Sequence, residues 1–213
     1  MAGTFFLASK SHANLNEEGF ESYEVGELSN QSDWKPQAPN PDNPGSYIDE
    51  IDRVEIRQKS ESDNMLVWLA GFPADQQTRL LKSFPPVSGD KVIIRFDYLP
   101  GHTTVPGRLI FDSGDNNFNL SIRFLKGTLQ IVTEGGASLS DTGLEFTADE
   151  WNKIELQCDF VSHQLTVVLN EKKVTSISLP EELFRFQRII LFGGGIDFES
   201  YMDNLSIEEV LKF

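Results

Sequence analysis

Three tryptophans, Trp34, Trp68 and Trp151, carry flat apolar rings of the kind that pack against the C–H face of a pyranose. Trp68 stands in the apolar run from Met65 to Ala70 and Trp151 leads into an alternating stretch, so both read as core. Trp34 adjoins a proline-rich segment with Tyr47 beyond it, and this pair is the exposed-aromatic candidate for a sugar platform. A second cluster lies between Glu50 and Arg57, in the order EIDRVEIR. In a regular strand Glu50 and Asp52 share one face and Glu55 the other, so a bulge would be needed to gather the three carboxylates. The same alternation lines up Arg53, Glu55 and Arg57 on one sheet face, with Val54 and Ile56 turned to the core. His12, His102 and His163 fall in the leading segment and in turns, which makes surface residues of them. The single cysteine, Cys158, sits in the alternating run from Ile154 to Phe160 as a small residue, and no intramolecular disulfide can form.

Lys and Arg number 18 against 33 Asp and Glu, a net charge of −15. Such a chain is repelled by phosphate backbones and by anionic lipid, so nucleic acid is not an expected partner. The same field opposes uronate or sulfated polysaccharides unless a local basic strip overrides it, and neutral ligands fit it best. Phe5, Phe6 and Leu7 are too short for a signal core, and no apolar run approaches the roughly 18 residues of a membrane span, so no membrane insertion is expected.

The elements that must position these residues are strands. Val54 and Ile56, Val92 and Ile94, and Leu165, Val167 and Leu169 alternate with more polar neighbours. Turn signals at Ser88-Gly89-Asp90, Ser113-Gly114-Asp115, Lys126-Gly127, Glu134-Gly135-Gly136 and Asn170-Glu171 suit antiparallel hairpins and leave no room for crossover helices. Helix is expected at most over Ala74 to Leu81 and as a short turn over Pro180 to Phe186. Pro36, Pro39, Pro41 and Pro44 mark the stretch to Gly45 as a long exposed loop. The expected organisation is a loose N-terminal arm over residues 1–15 and a single domain over residues 16–213, an all-β, two-sheet antiparallel β-sandwich.

Three segments carry a resemblance. LEFTADEWNKIELQCDFVSHQLTVVLNEKKV sets Phe146 and Trp151 before a strand, a turn near Ser162-His163 and a second strand ending at Asn170. FGGGIDFESYMDNLSIEEV sets Tyr201, Asp203 and Asn204 before Leu205 and Ile207, and GFESYEVGELSNQSDW sets Phe20 and Glu21 ahead of Trp34. Together they resemble the concanavalin A-like lectin/glucanase superfamily, with its laminin-G-like and jelly-roll carbohydrate-binding members.

The resemblance implies a jelly roll and a non-catalytic carbohydrate-binding or adhesion-type module that holds glycan in a shallow sheet groove. Trp34, Tyr47, Arg53, Glu55 and Arg57 are the candidate ligand contacts. It also implies a structural Ca²⁺ between the first and last strands, at Glu21 and Asp203, in keeping with the oxygen preference of a hard cation. A secreted or cell-surface location is the expectation, although no signal peptide is visible and a lone cysteine fits a cytosolic protein equally well. An enzyme of this fold is the alternative. Glu50, Asp52 and Glu55 resemble a family 16 glucanase signature, whose retaining chemistry needs carboxyls about 5 to 5.5 Å apart, although the motif comes early in the chain and Arg53 replaces an apolar residue. Arg53, Glu55 and Arg57 resemble the Arg-x-Glu-x-Arg strand of alginate lyases, but Val132 follows Gln130 and Ile131 where that family has His. A structural or assembly protein without a small ligand is the third expectation.

Overall fold

The computed structural model describes residues 13–18, 20, 24, 26–27, 34–40, 42–43, 46–49, 54–58, 65–70, 79–87, 89–100, 107–114, 119–133, 138–183, 185–192 and 199–210. Their regular elements are all strands. In chain order these are β1 (Ala13–Glu18), β2 (Gly26–Glu27), β3 (Lys35–Pro39), β4 (Tyr47–Asp49), β5 (Val54–Gln58), β6 (Met65–Ala70), β7 (Arg79–Val87), β8 (Lys91–Pro100), β9 (Gly107–Asp112), β10 (Asn119–Leu125), β11 (Thr128–Thr133), β12 (Ser138–Glu145), β13 (Asn152–Asp159), β14 (Gln164–Leu169), β15 (Lys172–Ser178), β16 (Phe186–Phe192) and β17 (Glu199–Val210).

They form two antiparallel sheets. Sheet A runs β15-β14-β13-β8-β17-β6-β5-β2, and sheet B runs β12-β11-β10-β9-β16-β7-β3-β4. Strand β17 is long enough to be shared on one side: β6 pairs with Glu199 to Met202, while β1 pairs with Leu205 to Glu209. β1 therefore begins at Ala13, inside the stretch expected to be a loose arm; the twelve residues before it lie outside the described residues.

Two of the expected turns close hairpins, while Glu134-Gly135-Gly136, Ser88 and Asp115 lie outside the described residues. Lys126-Gly127 (φ 53° and 77°) and Asn170-Glu171 (φ 48° and 68°) are two-residue left-handed turns closing the β10–β11 and β14–β15 hairpins. Gly89 and Asp90 instead carry the chain from sheet B to sheet A, because β7 pairs with β16 and β8 with β13 and β17.

Between the sheets lies one core. Along β8 the inward set is Val92, Ile94, Phe96 and Tyr98, facing Phe111, Phe124 and Phe186 of sheet B. Tyr98 stacks on Phe124 at 4.2 Å between ring centroids, and Phe186 meets Phe160 at 5.4 Å. A Cβ at Gly107 would fall 2.0 Å from the Tyr98 hydroxyl oxygen, so glycine is what admits the tyrosine there.

Several local expectations are corrected. Trp34 is 1% exposed, packed at 6.3 Å from Phe20 with the Lys82 ammonium 5.3 Å above its ring, so it is core and not a sugar platform. Trp151 is only partly buried; of the Phe146/Trp151 pair it is Phe146 that enters the core. Arg79, Leu80 and Leu81, expected as the end of a helix, open β7, where pairing with β16 and inward Leu80, Lys82 and Phe84 impose a period of two. Lys35–Pro39 is a strand and not exposed loop. Among the described residues Pro36 pairs with β7 and Pro39 with β4, and a proline fits either ladder where its nitrogen faces away from the partner.

Candidate functional site

Among the described residues, the sequence-predicted contacts are divided between the two sheets. Trp34 precedes β3 and Tyr47 opens β4, the edge strand of sheet B, whereas Glu55 and Arg57 lie on β5 of sheet A. Arg57 is partly buried; Arg53, Glu50, Asp52 and Glu21 lie outside the described residues, as do the side chains of Tyr47 and Glu55.

What the fold does gather is on the outward face of sheet A, where β14, β13, β8 and β17 run side by side. A cleft of ≈ 390 Å³ opens there, walled by Arg95, Asp97, Lys153, Glu155, Asn204 and Ser206 among others. The alternation that sends Ile94 and Phe96 inward sends Arg95 and Asp97 outward, and Ile154 and Leu156 do the same for Lys153 and Glu155. Register then sets Glu155 opposite Arg95 and Lys153 opposite Asp97. β5 is three strands from β8 in this sheet, about 14 Å at the usual strand spacing, so Arg57 does not belong to the cleft.

Arg95 is the hub. Its Nε donates to Glu155 Oε2 at 2.6 Å and its Nη1 to Glu208 Oε2 at 2.9 Å, while Gln157 donates to the other Glu155 oxygen at 2.6 Å. Partial burial works against the guanidinium charge, but hydrogen bonds and charge from Glu208 and Glu155 outweigh it and hold its pKa above the usual arginine value. The guanidinium is thereby fixed in direction, with its remaining N–H groups available to a ligand.

Asn204 occupies the left-handed region (φ 52°) at the bulge between Asp203 and Ser206, a conformation that asparagine tolerates well. Its backbone N–H donates to Asp203 Oδ1 and its side-chain amide to Asp97 Oδ2, each at 2.9 Å. The bulge thus lifts an amide to the cleft rim. At the far rim the buried Asn152 bonds the 147–150 turn through Thr147 and Glu150, and Asn170 donates to it at 3.0 Å. Asn170 also accepts from the Lys153 backbone at 2.9 Å, which ties the β14–β15 turn, and with it Glu171, to the cleft.

Asp203 is fully buried within β17, an interior strand, and one of its oxygens is taken by Asn204. No group of three or more His, Cys, Asp or Glu that could hold a metal occurs among the described residues. Of the expected calcium site at Glu21 and Asp203, the Glu21 half lies outside the described residues.

Of the cleft residues, Asn204 stood in the closing-strand motif, and Arg95 was among the more polar neighbours that alternate with Val92 and Ile94. Asp97, Lys153, Glu155 and Glu208 had as their only signal a charge at alternate positions, which marks any solvated strand face.

No family model matches the chain, and no curated protein does. Solved structures do. A sialidase superposes with a TM-score of 0.67 at 10% identity, over 93% of this chain and 19% of its own. A Bacillus subtilis protein with a galectin-like fold gives 0.62 at 11% identity, over 94% and 98%. The chain has the concanavalin A-like jelly-roll fold. It is also similar to domain 4 of a Geobacillus stearothermophilus arabinanase, solved in complex with arabinotriose, at a TM-score of 0.55 and 15% identity over 83% and 82%. This jelly roll spans about a fifth of the sialidase and nearly all of the Bacillus subtilis protein.

Proposed function

We propose that this jelly roll is a carbohydrate-binding module and that the outward cleft of sheet A holds the glycan. The observation that carries the reading is the clamped Arg95 beside the Asn204–Asp97 pair, directional donors and acceptors set in a cleft of ≈ 390 Å³. A sugar hydroxyl both donates and accepts, and interleaved guanidinium, carboxylate and amide groups match that dual character. The partly buried Val168 lies in the same wall and offers apolar surface to ring C–H groups. The arabinotriose complex of the arabinanase domain supports the reading by analogy of fold.

Binding without catalysis is the reading we adopt. Glu155 accepts from Arg95 on one oxygen and from Gln157 on the other, so it is engaged as an acceptor and does not present a proton to a leaving group. Glycan-array screening followed by NMR titration tests the function. Shifts should concentrate on Arg95, Lys153, Glu155 and Asn204, and Arg95→Ala or Asn204→Ala should abolish them. Shifts confined to sheet B, or no glycan bound, would overturn the assignment.

A further inference from the structure

The charges of the cleft are specific enough to select among glycans. Its walls hold two cations, Arg95 and Lys153, against three carboxylates, Asp97, Glu155 and Glu171. Glu208 adds a fourth carboxylate by binding Arg95 from the β17 side. Arg95 is bracketed by two carboxylates at 2.6 and 2.9 Å, and Lys153 stands opposite Asp97 across the β8–β13 ladder. A guanidinium with a carboxylate on either side presents N–H groups without presenting net positive charge. An incoming sialic acid, uronate or sulfate would meet Glu155, Glu208 and Asp97 together with the guanidinium, at distances where like charges repel appreciably.

We infer that Glu155 and Glu208 are specificity-determining residues, which convert Arg95 from an anion receptor into a neutral hydrogen-bond donor, so that the cleft takes uncharged oligosaccharides and rejects anionic ones. The inference rests on the glycan-binding reading above and adds the class of glycan to it. It is independent of the overall charge of −15, which acts at long range and is screened by salt. The selection described here comes from ion pairs in direct contact and persists when salt is added.

The test uses matched pairs, lacto-N-neotetraose with its terminally sialylated form and cellotetraose with an oligoglucuronate, on an array and then by calorimetry at low salt and at about 0.5 M salt. The uncharged member of a pair should bind about tenfold or more tightly than its anionic partner at both salt concentrations. In the double variant Glu155→Gln, Glu208→Gln the discrimination should narrow by about tenfold, because each substitution keeps an amide oxygen near Arg95 and removes a charge. The single variants should fall between, and an unchanged melting temperature in any one of them shows that packing is intact. Equal or tighter binding of the anionic sugars by the wild type would overturn the inference while leaving glycan binding in place. So would selectivity that disappears in salt or survives both substitutions. If neither member of any pair binds, the glycan reading itself falls and this inference with it.

Discussion

The two outward faces of the sandwich are built from the same strand chemistry and finish as opposites. On sheet B the outward residues Ile110, Ser121 and Ile190 are 7%, 0% and 6% exposed, although they point away from the core. The covering groups are partly identifiable: Arg108 lies over the Phe192 ring at 5.8 Å and donates to Ser121 at 2.7 Å, and Arg188 makes a bidentate pair with Asp112 at 2.8 to 2.9 Å. On sheet A the corresponding residues, Arg95, Asp97, Lys153 and Glu155, stay in contact with water and border the cleft. An arginine–carboxylate pair thus does two jobs in one fold. On sheet B it is sunk and structural; on sheet A the Arg95 side chain keeps 42% of its surface exposed and is available to a ligand.

The comparison is broken most forcefully by Arg188→Ala. It removes the guanidinium from the Asp112 carboxylate, whose side chain is 5% exposed and which keeps the Gly114 N–H, and should cost about 3 to 5 kcal/mol in denaturant unfolding with glycan binding unchanged in the surviving folded protein. A loss below about 1 kcal/mol would mean that the sheet B face is as open as that of sheet A.

Next comes Lys82, which faces inward from sheet B against Trp34 and whose pKa burial lowers from 10.5 to about 8. Between those values the unfolded chain holds a proton that the folded chain has lost, so this group makes stability rise with pH across that window. Lys82→Met should therefore stabilise the protein at pH 7, on the order of 1 to 3 kcal/mol, with the advantage shrinking as pH climbs toward 10. Burial pushes Tyr98 up to about 12 and the Cys158 thiol upward too, and both contribute in the opposite sense, losing stability as pH rises past 10.0 and 9.0. The difference between wild-type and Lys82→Met melting curves isolates the lysine. An advantage that is flat with pH would contradict it.

Arg95→Ala sharpens the contrast by doing the reverse of Arg188→Ala. Stability should fall by less than about 1 kcal/mol, since its ion pairs are partly solvated, while glycan titration shows no binding. The smallest expected effect is that of a chelator. Melting curves with and without EDTA should superimpose, given that no group of three or more His, Cys, Asp or Glu that could hold a metal occurs among the described residues; a chelator-dependent drop would restore a calcium site near Glu21 and Asp203.

How much of this was legible can be followed residue by residue. Alternation in KVIIRFDYLP was enough to assign β8 and to say that Val92, Ile94, Phe96 and Tyr98 share a face opposite Ile93, Arg95 and Asp97, because side-chain direction along a strand depends only on the local backbone. Lys126-Gly127 and Asn170-Glu171 announced their hairpins for the same reason. Trp34 misled because proline-rich surroundings suggested exposure, whereas its burial depends on Phe20 and on a strand of sheet B more than forty residues later. The cleft was illegible for a stronger version of that reason. Arg95 finds Glu155 60 positions away and Glu208 113 positions away, and both meetings depend on β8 being inserted between β13 and β17. The sequence by itself determined which residues point outward; the order and register of strands from distant parts of the chain decided which outward residues became neighbours, since that choice is made by the packing of the whole core and by no local preference.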